Sequence, residues 1–165
     1  MSIEQVRAFF AENAPDLVVM ESEQSSATVP LAAAAFGVTP AEIAKTLSLR
    51  VGERVLLVVT GGTTRLDNKK ARAAFGGKPR MLNAQEALEA TGHPVGGICP
   101  FGLKSPLPVY CDVSLQQFAE VRPAAGSANS AVRIAPERLA ALTHAQWVDV
   151  SETMAARETA TSENV

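Results

Sequence analysis

The residues with reactive side chains concentrate in and around a glycine-rich segment, residues 92–102, which reads GHPVGGICPFG. Its four glycines and two prolines predict a loop whose backbone can approach a ligand closely, since glycine has no Cβ. Only His93 and Cys99 within it could act as an acid, a base or a nucleophile. We therefore predict that the loop acts through main-chain N–H groups directed at a ligand oxygen. A simple connection between two packed elements would have the same composition, and the sequence leaves that alternative open.

Two other chemical roles for this segment have less support. A Cys99 nucleophile with His93 as its base is chemically possible, but a buried and inert thiol is the commoner arrangement. Residues 97–105, GICPFGLKS, nearly match the phosphate-binding loop pattern, yet Leu103 is inserted before the lysine. Two prolines downstream also prevent the long helix that follows such a loop. The sequence therefore disfavours a nucleotide-hydrolysing site.

Basic residues in the middle of the chain indicate an anionic ligand. Residues 45–104 contain ten lysines and arginines against four acidic residues, although the whole chain has a net charge of −2. The densest cluster comprises Arg65, Lys69, Lys70 and Arg72. A local excess of this kind suggests one anionic partner rather than general binding to DNA. Solvated surfaces without a partner can carry the same charges, so this alternative also stays open.

Lys45 is predicted to lie where a short helix gives way to a strand. In that place its ammonium group could reach a ligand beside the sheet. A lysine at the C-terminus of a helix is often only a favourable partner for the helix dipole, and without other information the sequence favours that role over a functional one.

Length and composition predict one globular domain. A chain of 165 residues with 47% apolar content can bury a core without disulfides or metals. Cys99 and Cys111 form no CxxC pair and the chain has two histidines, so we predict reduced thiols and no metal or cofactor. No long apolar run and no signal-peptide pattern is present, which predicts a cytoplasmic protein without membrane contact.

The periodicity of apolar residues predicts helices interspersed with strands. Capping residues and helical spacing predict helices at about residues 2–13, 30–37, 39–44, 67–76, 83–92, 115–119 and 136–142. Alternating or continuous apolar runs predict strands at about residues 17–20, 46–51, 54–60, 107–111, 130–134 and 147–150, with a loop at 61–65. We predict an α/β (α+β) single domain over residues 1–151, with a mixed, largely antiparallel central sheet flanked by helices. The polar residues 152–165 are predicted to be a disordered tail.

Four segments occur in a characteristic order and spacing. They read VPLAAAAFGVTPAEIAKTLSLR, TRLDNKKARAAFG, GHPVGGICPFGLK and AGSANSAVRIAPERL. Together they resemble the YbaK-like family of aminoacyl-tRNA deacylases, which is related to the editing domain inserted in bacterial prolyl-tRNA synthetases. The resemblance covers about residues 1–150. It implies a free-standing α/β domain that hydrolyses the ester joining a wrong amino acid to tRNA.

The resemblance also implies roles for particular residues. In the family, the lysine of the AKTL motif helps to hold the tRNA end, and the glycine-rich loop contacts the aminoacyl group through its main chain while a substrate hydroxyl assists the attack. The implied catalytic or substrate-positioning residues are Lys45, Gly96, Gly97, Ile98, Cys99 and Gly102. The pocket candidates are Val29, Pro30, Phe101, Ser127, Asn129 and Ser130. The candidates for tRNA binding are Arg65, Lys69, Lys70 and Arg72.

The substrate amino acid is not identified by the sequence. The family branch associated with cysteinyl-tRNA typically has serine before the loop proline and a basic, glycine-containing late motif. This chain has Cys99 and residues 126–130, GSANS, at those places, which argues against a cysteine-specific activity. The expected partners are an aminoacyl-tRNA and, in addition, an aminoacyl-tRNA synthetase. The alternative function is a non-catalytic module that binds tRNA or a synthetase.

Overall fold

The helices of the protein begin and end at well-defined caps. The computed structural model describes residues 2–153. Its helices are α1 (Ser2–Asn13), α2 (Val29–Phe36), α3 (Asn68–Phe75), α4 (Ala84–Thr91) and α5 (Pro136–Thr143). Side-chain oxygens of Thr28, Asp67 and Asn83 accept hydrogen bonds from the first turns of α2, α3 and α4. Each of these three helices ends at a glycine in the left-handed conformation, in agreement with the sequence.

Within residues 2–153, ten strands form one central sheet and two short pairs. The strands are β1 (Met20–Glu21), β2 (Ile43–Val51), β3 (Arg54–Gly61), β4 (Thr64–Leu66), β5 (Arg80–Met81), β6 (Val109–Asp112), β7 (Arg122–Pro123), β8 (Ser130–Ala131), β9 (Gln146–Val148) and β10 (Ser151–Thr153). The central sheet has the order β5-β2-β3-β6-β9, and β7 also pairs with β2. The β2–β3 and β2–β5 pairs are antiparallel, whereas β7, β6 and β9 pair in parallel with their neighbours. The predicted mixed α/β single-domain fold is confirmed.

The long β2–β3 hairpin forms the centre of the core. Gly52 has a φ of 62° at its turn, which favours glycine. In β3 the residues Leu56 to Val59 are all 0% exposed, because the sheet is covered on both faces. Leu57 and Val59 belong to a cluster with α1 and α5, and Leu56 and Val58 pack with α3. The continuous apolar run of β3 therefore reflects burial on both faces of the sheet, as the sequence predicted.

The second edge of β2 is only partly paired. Near its end, Leu49 and Arg50 pair with β5, and at its start Ile43 and Ala44 pair with β7. Residues 45–48 have no strand partner on this edge among the described residues. The sheet therefore contains a gap between β5 and β7.

Several predicted boundaries are wrong. The predicted helix at 39–44 is only a 3-10 turn at Pro40–Glu42, and β2 already begins at Ile43. Pairing with β3 from Ala44 onward extends the strand at the expense of the helix, so Lys45 lies within a strand. The helical turn predicted at 115–119 is a 3-10 turn at Val113–Gln117.

Other differences from the predicted boundaries arise because short strands pair with segments that are distant in sequence. The predicted strands at 17–20 and 130–134 are reduced to the β1–β8 pair, and the predicted loop at 61–65 includes part of β4. Strand β10 pairs with β4, so the predicted disorder is wrong for Glu152 and Thr153. Buried Asp112 helps to dock this strand, since its carboxylate accepts hydrogen bonds from Val150 N at 2.8 Å and Ser151 Oγ at 2.6 Å. The rest of the predicted tail lies outside the described residues.

Candidate functional site

A cavity of about 310 Å³ opens in the gap of the sheet between β5 and β7. Its walls come from α2 and the residues before it, from β2, from β5 and α4, from the glycine-rich loop, and from β7 and β8. Five of the site residues predicted from the sequence line this cavity: Val29, Lys45, Gly96, Ile98 and Ser130. Because the sheet is interrupted here, the cavity borders successive residues of β2. The fold thus brings together one lysine, a glycine-rich loop and an open strand edge.

Lys45 borders this cavity and is half-buried. Its ammonium group donates a hydrogen bond to the carbonyl oxygen of Thr64. Burial lowers the pKa of Lys45, and the positive charge of Arg65 lowers it further. Burial and the neighbouring charge of Arg65 both disfavour the charged ammonium group. An anionic ligand beside Lys45 would offset both effects, because it stabilises that charge.

The glycine-rich loop supplies two free main-chain donors. Gly96 has a φ of 91°, and a Cβ there would lie 3.1 Å from Ala27 Cβ. The N–H groups of Gly96 and Ile98 have no hydrogen-bond partner among the described residues. Gly97 N, in contrast, donates to Pro94 O at 2.9 Å. The amides of Gly96 and Ile98 are therefore the candidates for binding a ligand oxygen.

Other glycines of the loop serve close packing. A Cβ on Gly97 would lie 2.5 Å from Ser127 N, and Gly97 O accepts a hydrogen bond from Gly126 N at 3.1 Å. A Cβ on Gly102 would lie 2.8 Å from Gln5 O in α1, and its φ is 58°. Neither residue lines the cavity. Gly97 and Gly102 allow the loop to pack against the turn at Ser127 and against α1. This packing fixes the position of the neighbouring residues Gly96 and Ile98, which line the cavity.

The reactive side chains of the loop point into the core. Cys99, Phe101 and His93 are each 0% exposed, and none of them lines the cavity. Burial raises the pKa of Cys99 to about 12, so its reactive thiolate form is disfavoured. Burial likewise lowers the pKa of His93, whose Nε2 lies 2.7 Å from Phe101 O and whose Nδ1 contacts Ser2 Oγ. His93 Nε2 also lies 3.6 Å from Cys99 Sγ. Both side chains are nevertheless buried outside the cavity, and the raised pKa of the thiol disfavours its thiolate form, which argues against a Cys99–His93 nucleophilic pair.

The late turn that contributes Ser130 is mainly structural. Ser127 Oγ donates to Asn129 Oδ1 at 2.8 Å, and Asn129 Nδ2 donates to Ser22 O at 2.9 Å. Pro30, Ser127 and Asn129 do not line the cavity, whereas Ser130 does. The turn thus connects β8 to the segment before α2.

The basic cluster near α3 is divided by its contacts. Lys70 Nζ forms an ion pair with Asp149 at 2.9 Å and donates to Ser151 O at 3.0 Å. Arg65, Lys69 and Arg72 are exposed. Lys70 is exposed as well, but its contacts connect α3 to the C-terminal strands, so Arg65, Lys69 and Arg72 are the better candidates for an external anion.

Sequence reasoning missed five polar residues that line the cavity, Ser26, Thr28, Thr46, Ser48 and Arg122. Ser26 Oγ, Thr46 Oγ1 and Arg122 Nη1 are buried without a hydrogen-bond partner in the described part of the chain. Thr46 could have been found, because it follows Lys45 in an alternating strand pattern. Arg122 has no such signal, since only the pairing of β7 with β2 brings it to the site.

Comparison with known protein families decides what this cavity belongs to. The model of the family described as "Aminoacyl-tRNA editing domain" matches residues 23–142. The chain belongs to the aminoacyl-tRNA editing domain family. The matched region of this editing domain includes every segment that lines the cavity.

Individual relatives agree with this assignment. The editing domain is 47% identical over 152 residues to "Uncharacterized protein YwhH" of Bacillus subtilis, covering 91% of this chain and 97% of that protein. It is 31% identical over 122 residues to "Putative Cys-tRNA(Pro)/Cys-tRNA(Cys) deacylase EbsC" of Enterococcus faecalis, covering 72% of this chain and 74% of that protein. A solved structure titled "Crystal structure of a putative trans-editing enzyme for prolyl tRNA synthetase" superposes with a TM-score of 0.85 at 34% identity, covering 92% of this chain and 97% of that one.

Two further observations describe this editing domain. Within residues 2–153 no three His, Cys, Asp or Glu side chains are grouped so that they could hold a metal ion. None of the helices in the same range is long and apolar enough to cross a membrane.

Proposed function

We propose that the protein is a trans-acting aminoacyl-tRNA deacylase that hydrolyses the ester of mischarged tRNA. The observation that carries the proposal is the cavity of this editing domain, which Lys45, Gly96 and Ile98 line together, while the main-chain N–H groups of Gly96 and Ile98 have no hydrogen-bond partner among the described residues. Lys45 contacts a phosphate or ribose oxygen of the tRNA end. The two amides donate hydrogen bonds to the carbonyl oxygen of the ester.

These groups suit the chemistry of an aminoacyl ester. Such an ester is already activated, so a positioned water and a stabilised oxyanion are sufficient for its hydrolysis. One oxyanion donor is typically worth about 3 kcal/mol of transition-state stabilisation. The water is the nucleophile; the ribose hydroxyl next to the ester accepts its proton and passes its own proton to the ribose oxygen that leaves, so no protein nucleophile is required. The buried Cys99 thiol then has no chemical role in the reaction.

A separate hydrolytic site is needed because synthetic sites discriminate weakly between similar amino acids. A pocket separates substrates that differ by one methylene by only about 1–3 kcal/mol. The proposed partners are therefore a mischarged tRNA and the synthetase that produced it. The name of the relative from Enterococcus faecalis refers to Cys-tRNA(Pro) and Cys-tRNA(Cys), and the solved neighbour to a prolyl-tRNA synthetase. For this chain the amino acid is left to experiment.

A panel of mischarged tRNAs tests the proposal directly. The purified protein is incubated with tRNAs that carry different amino acids, and the release of each amino acid is measured. We expect rapid release from at least one mischarged tRNA and slow release from correctly charged ones. If tRNA binds but no amino acid is released from any of them, the protein is a binding module and the enzymatic proposal fails.

Lys45 is tested by the substitution Lys45→Met, which keeps the apolar stem and removes the charge. We expect kcat/KM to fall by about 10- to 100-fold, because a hydrogen bond to a charged group is lost. Lys78→Met is the matched control, since Lys78 is exposed and does not line the cavity. Thermal unfolding of both variants verifies that the domain still folds. Equal activity of the Lys45 variant and the control would remove Lys45 from the site.

A further inference from the structure

The open edge of β2 presents the main chain of one residue to the cavity. Within a strand, the N–H and C=O groups of successive residues point alternately to opposite edges. Ser48 O accepts a hydrogen bond from Leu82 N at 3.0 Å, which fixes the direction of this alternation. Four residues earlier, Ala44 belongs to the part of β2 that pairs with β7. The even-numbered residues of β2 therefore direct their main-chain groups toward the edge that carries β5 and β7.

Thr46 lies between these two paired positions. By the same alternation its N–H and C=O point into the gap, and Thr46 lines the cavity there. The strand register gives it no partner on this edge, and no loop residue of the described chain forms a main-chain hydrogen bond with it. Its hydroxyl is also without a partner. A donor and an acceptor of the backbone thus face a cavity that could hold a small ligand.

The vacant donor and acceptor define the ligand chemistry that fits. In a hydrogen-bonded pair of antiparallel strands, one residue exchanges both of its main-chain hydrogen bonds with one residue opposite. A ligand that replaces the opposite residue must offer a carbonyl oxygen and an amino N–H on adjacent carbons. The α-ammonium and ester carbonyl of an aminoacyl group have this arrangement.

We propose that the main chain of Thr46 binds the aminoacyl group as a one-residue extension of the sheet. Its C=O accepts a hydrogen bond from the α-ammonium group, and its N–H donates to the ester carbonyl. The second lone pair of that carbonyl stays available to one amide of the loop, and the amides of Gly96 and Ile98 can both donate once the tetrahedral oxyanion, with three lone pairs, has formed. This inference rests on the proposed function, and it identifies the free α-amino group as a required feature of the substrate.

Recognition through Thr46 does not depend on the amino-acid side chain. The contact therefore contributes affinity for every aminoacyl group, and discrimination between amino acids falls to the other walls of the cavity. Those walls include the apolar residues Val29, Ala32 and Ile43, and the guanidinium of Arg122. Acyl groups that lack an α-amino group are bound weakly whatever their side chain.

A pair of stable analogues tests the proposal without catalysis. The probes are 3′-amino-3′-deoxyadenosine acylated with alanine and the same nucleoside acylated with propionic acid, which lacks the amino group. We expect the alanyl probe to bind about 10- to 100-fold more tightly, because a charge-assisted hydrogen bond is present only there. In ¹⁵N-labelled protein the amide signal of Thr46 should shift on binding and exchange more slowly with solvent. The amide of Leu47, which faces β3, is the internal control.

The outcomes separate this inference from the proposed function. Equal affinity of the two probes, an unshifted Thr46 amide in the presence of bound probe, or no binding of either probe would overturn the inference. If one of these results is found and mischarged tRNA is nevertheless deacylated, the proposed function holds and only the role of Thr46 is wrong. If the alanyl probe binds as expected but no tRNA is deacylated, the site is an aminoacyl-binding site and the enzymatic proposal fails.

A backbone substitution gives a second readout. Thr46→Pro removes an N–H that forms no ladder hydrogen bond, and proline is tolerated at such edge positions. We expect the variant to fold and to bind the alanyl probe about tenfold more weakly. Leu47→Pro is the matched control, since it removes a hydrogen bond to β3 and should destabilise the sheet. Unchanged affinity in folded Thr46→Pro would contradict the proposed contact.

Discussion

At the scale of single residues, the buried His93 connects the N-terminal helix to the glycine-rich loop. One ring nitrogen contacts Ser2 Oγ, and the other lies 2.7 Å from the carbonyl oxygen of Phe101. The side chain is 0% exposed, and burial lowers its pKa. His93 is therefore kept neutral in the folded protein. Its contacts hold the loop in place, and it has no part in the proposed hydrolysis.

The lowered pKa of His93 predicts a pH-dependent stability. Below the unfolded value of about 6.5 the unfolded chain binds a proton that the folded chain does not, so stability is lost as the pH falls. The free energy of unfolding should decrease by at most about 1.4 kcal/mol per pH unit from this group. Urea unfolding between about pH 7.5 and 5.5 measures the slope.

The control for this prediction uses the second histidine of the chain. His144 is exposed, and His144→Asn keeps a residue that tolerates its left-handed φ of 55°. We expect His144→Asn to retain the slope and His93→Gln to lose most of it. A slope that persists in His93→Gln would assign the effect to other groups.

At the scale of elements, the glycine-rich loop is positioned by packing at its back. Gly97 allows the main chain at Ser127 to approach, and Gly102 allows contact with α1. The N–H groups of Gly96 and Ile98 are left free because Gly97 takes the hydrogen bond within the turn. Close packing and ligand binding are thus divided between neighbouring residues of one loop.

Substitution of Gly97 tests this division. In Gly97→Ala the new Cβ would lie 2.5 Å from Ser127 N, so the two segments must separate. We expect a loss of stability of about 1–3 kcal/mol and a lower kcat, since the neighbouring amides are displaced. Gly61→Ala is the control, because its Cβ would make an ordinary contact 3.4 Å from Ser114 Oγ. Chemical denaturation and deacylation rates of both variants provide the comparison, and equal stability losses would contradict the packing role.

At the scale of the whole molecule, the charge distribution suggests how tRNA approaches. The basic residues concentrate in the middle of the chain. Arg65 is exposed on β4, and Lys69 and Arg72 are exposed on α3. Lys45 donates a hydrogen bond to the carbonyl oxygen of Thr64, the residue before Arg65, so this end of the basic surface is close to the cavity. We propose that these three side chains bind the phosphates of the acceptor stem.

The salt dependence of binding tests this proposal. The double substitution Lys69→Ala and Arg72→Ala should raise KM about tenfold at low salt and reduce the salt dependence, because fewer counterions are released from tRNA. The effect on kcat should be small, since neither residue lines the cavity. Arg133→Ala, which breaks an exposed ion pair with Glu120, is the control. A double variant with unchanged KM and salt dependence would exclude this surface.

Local signals in the sequence predicted much of the fold. The caps at Asp67 and Asn83, the closing glycines and the alternating and continuous apolar runs predicted α3, α4 and the β2–β3 hairpin. These features depend on residues a few positions apart, so they can be found without knowledge of the tertiary structure. The short strands β4, β5, β7 and β10 were missed, because each is a strand only through pairing with a distant segment.

The sequence by itself determined the family resemblance, the mixed α/β class and the choice of Lys45 and the glycine-rich loop as candidates. Only the tertiary structure decided which atoms of that loop are free, since burial of Cys99 and the hydrogen bond of Gly97 depend on neighbouring segments. It also decided that Ser26, Thr46 and Arg122 join Lys45 at one cavity. The reason is that the cavity is a gap in the pairing of β2, and a gap is defined by strands that are distant in sequence.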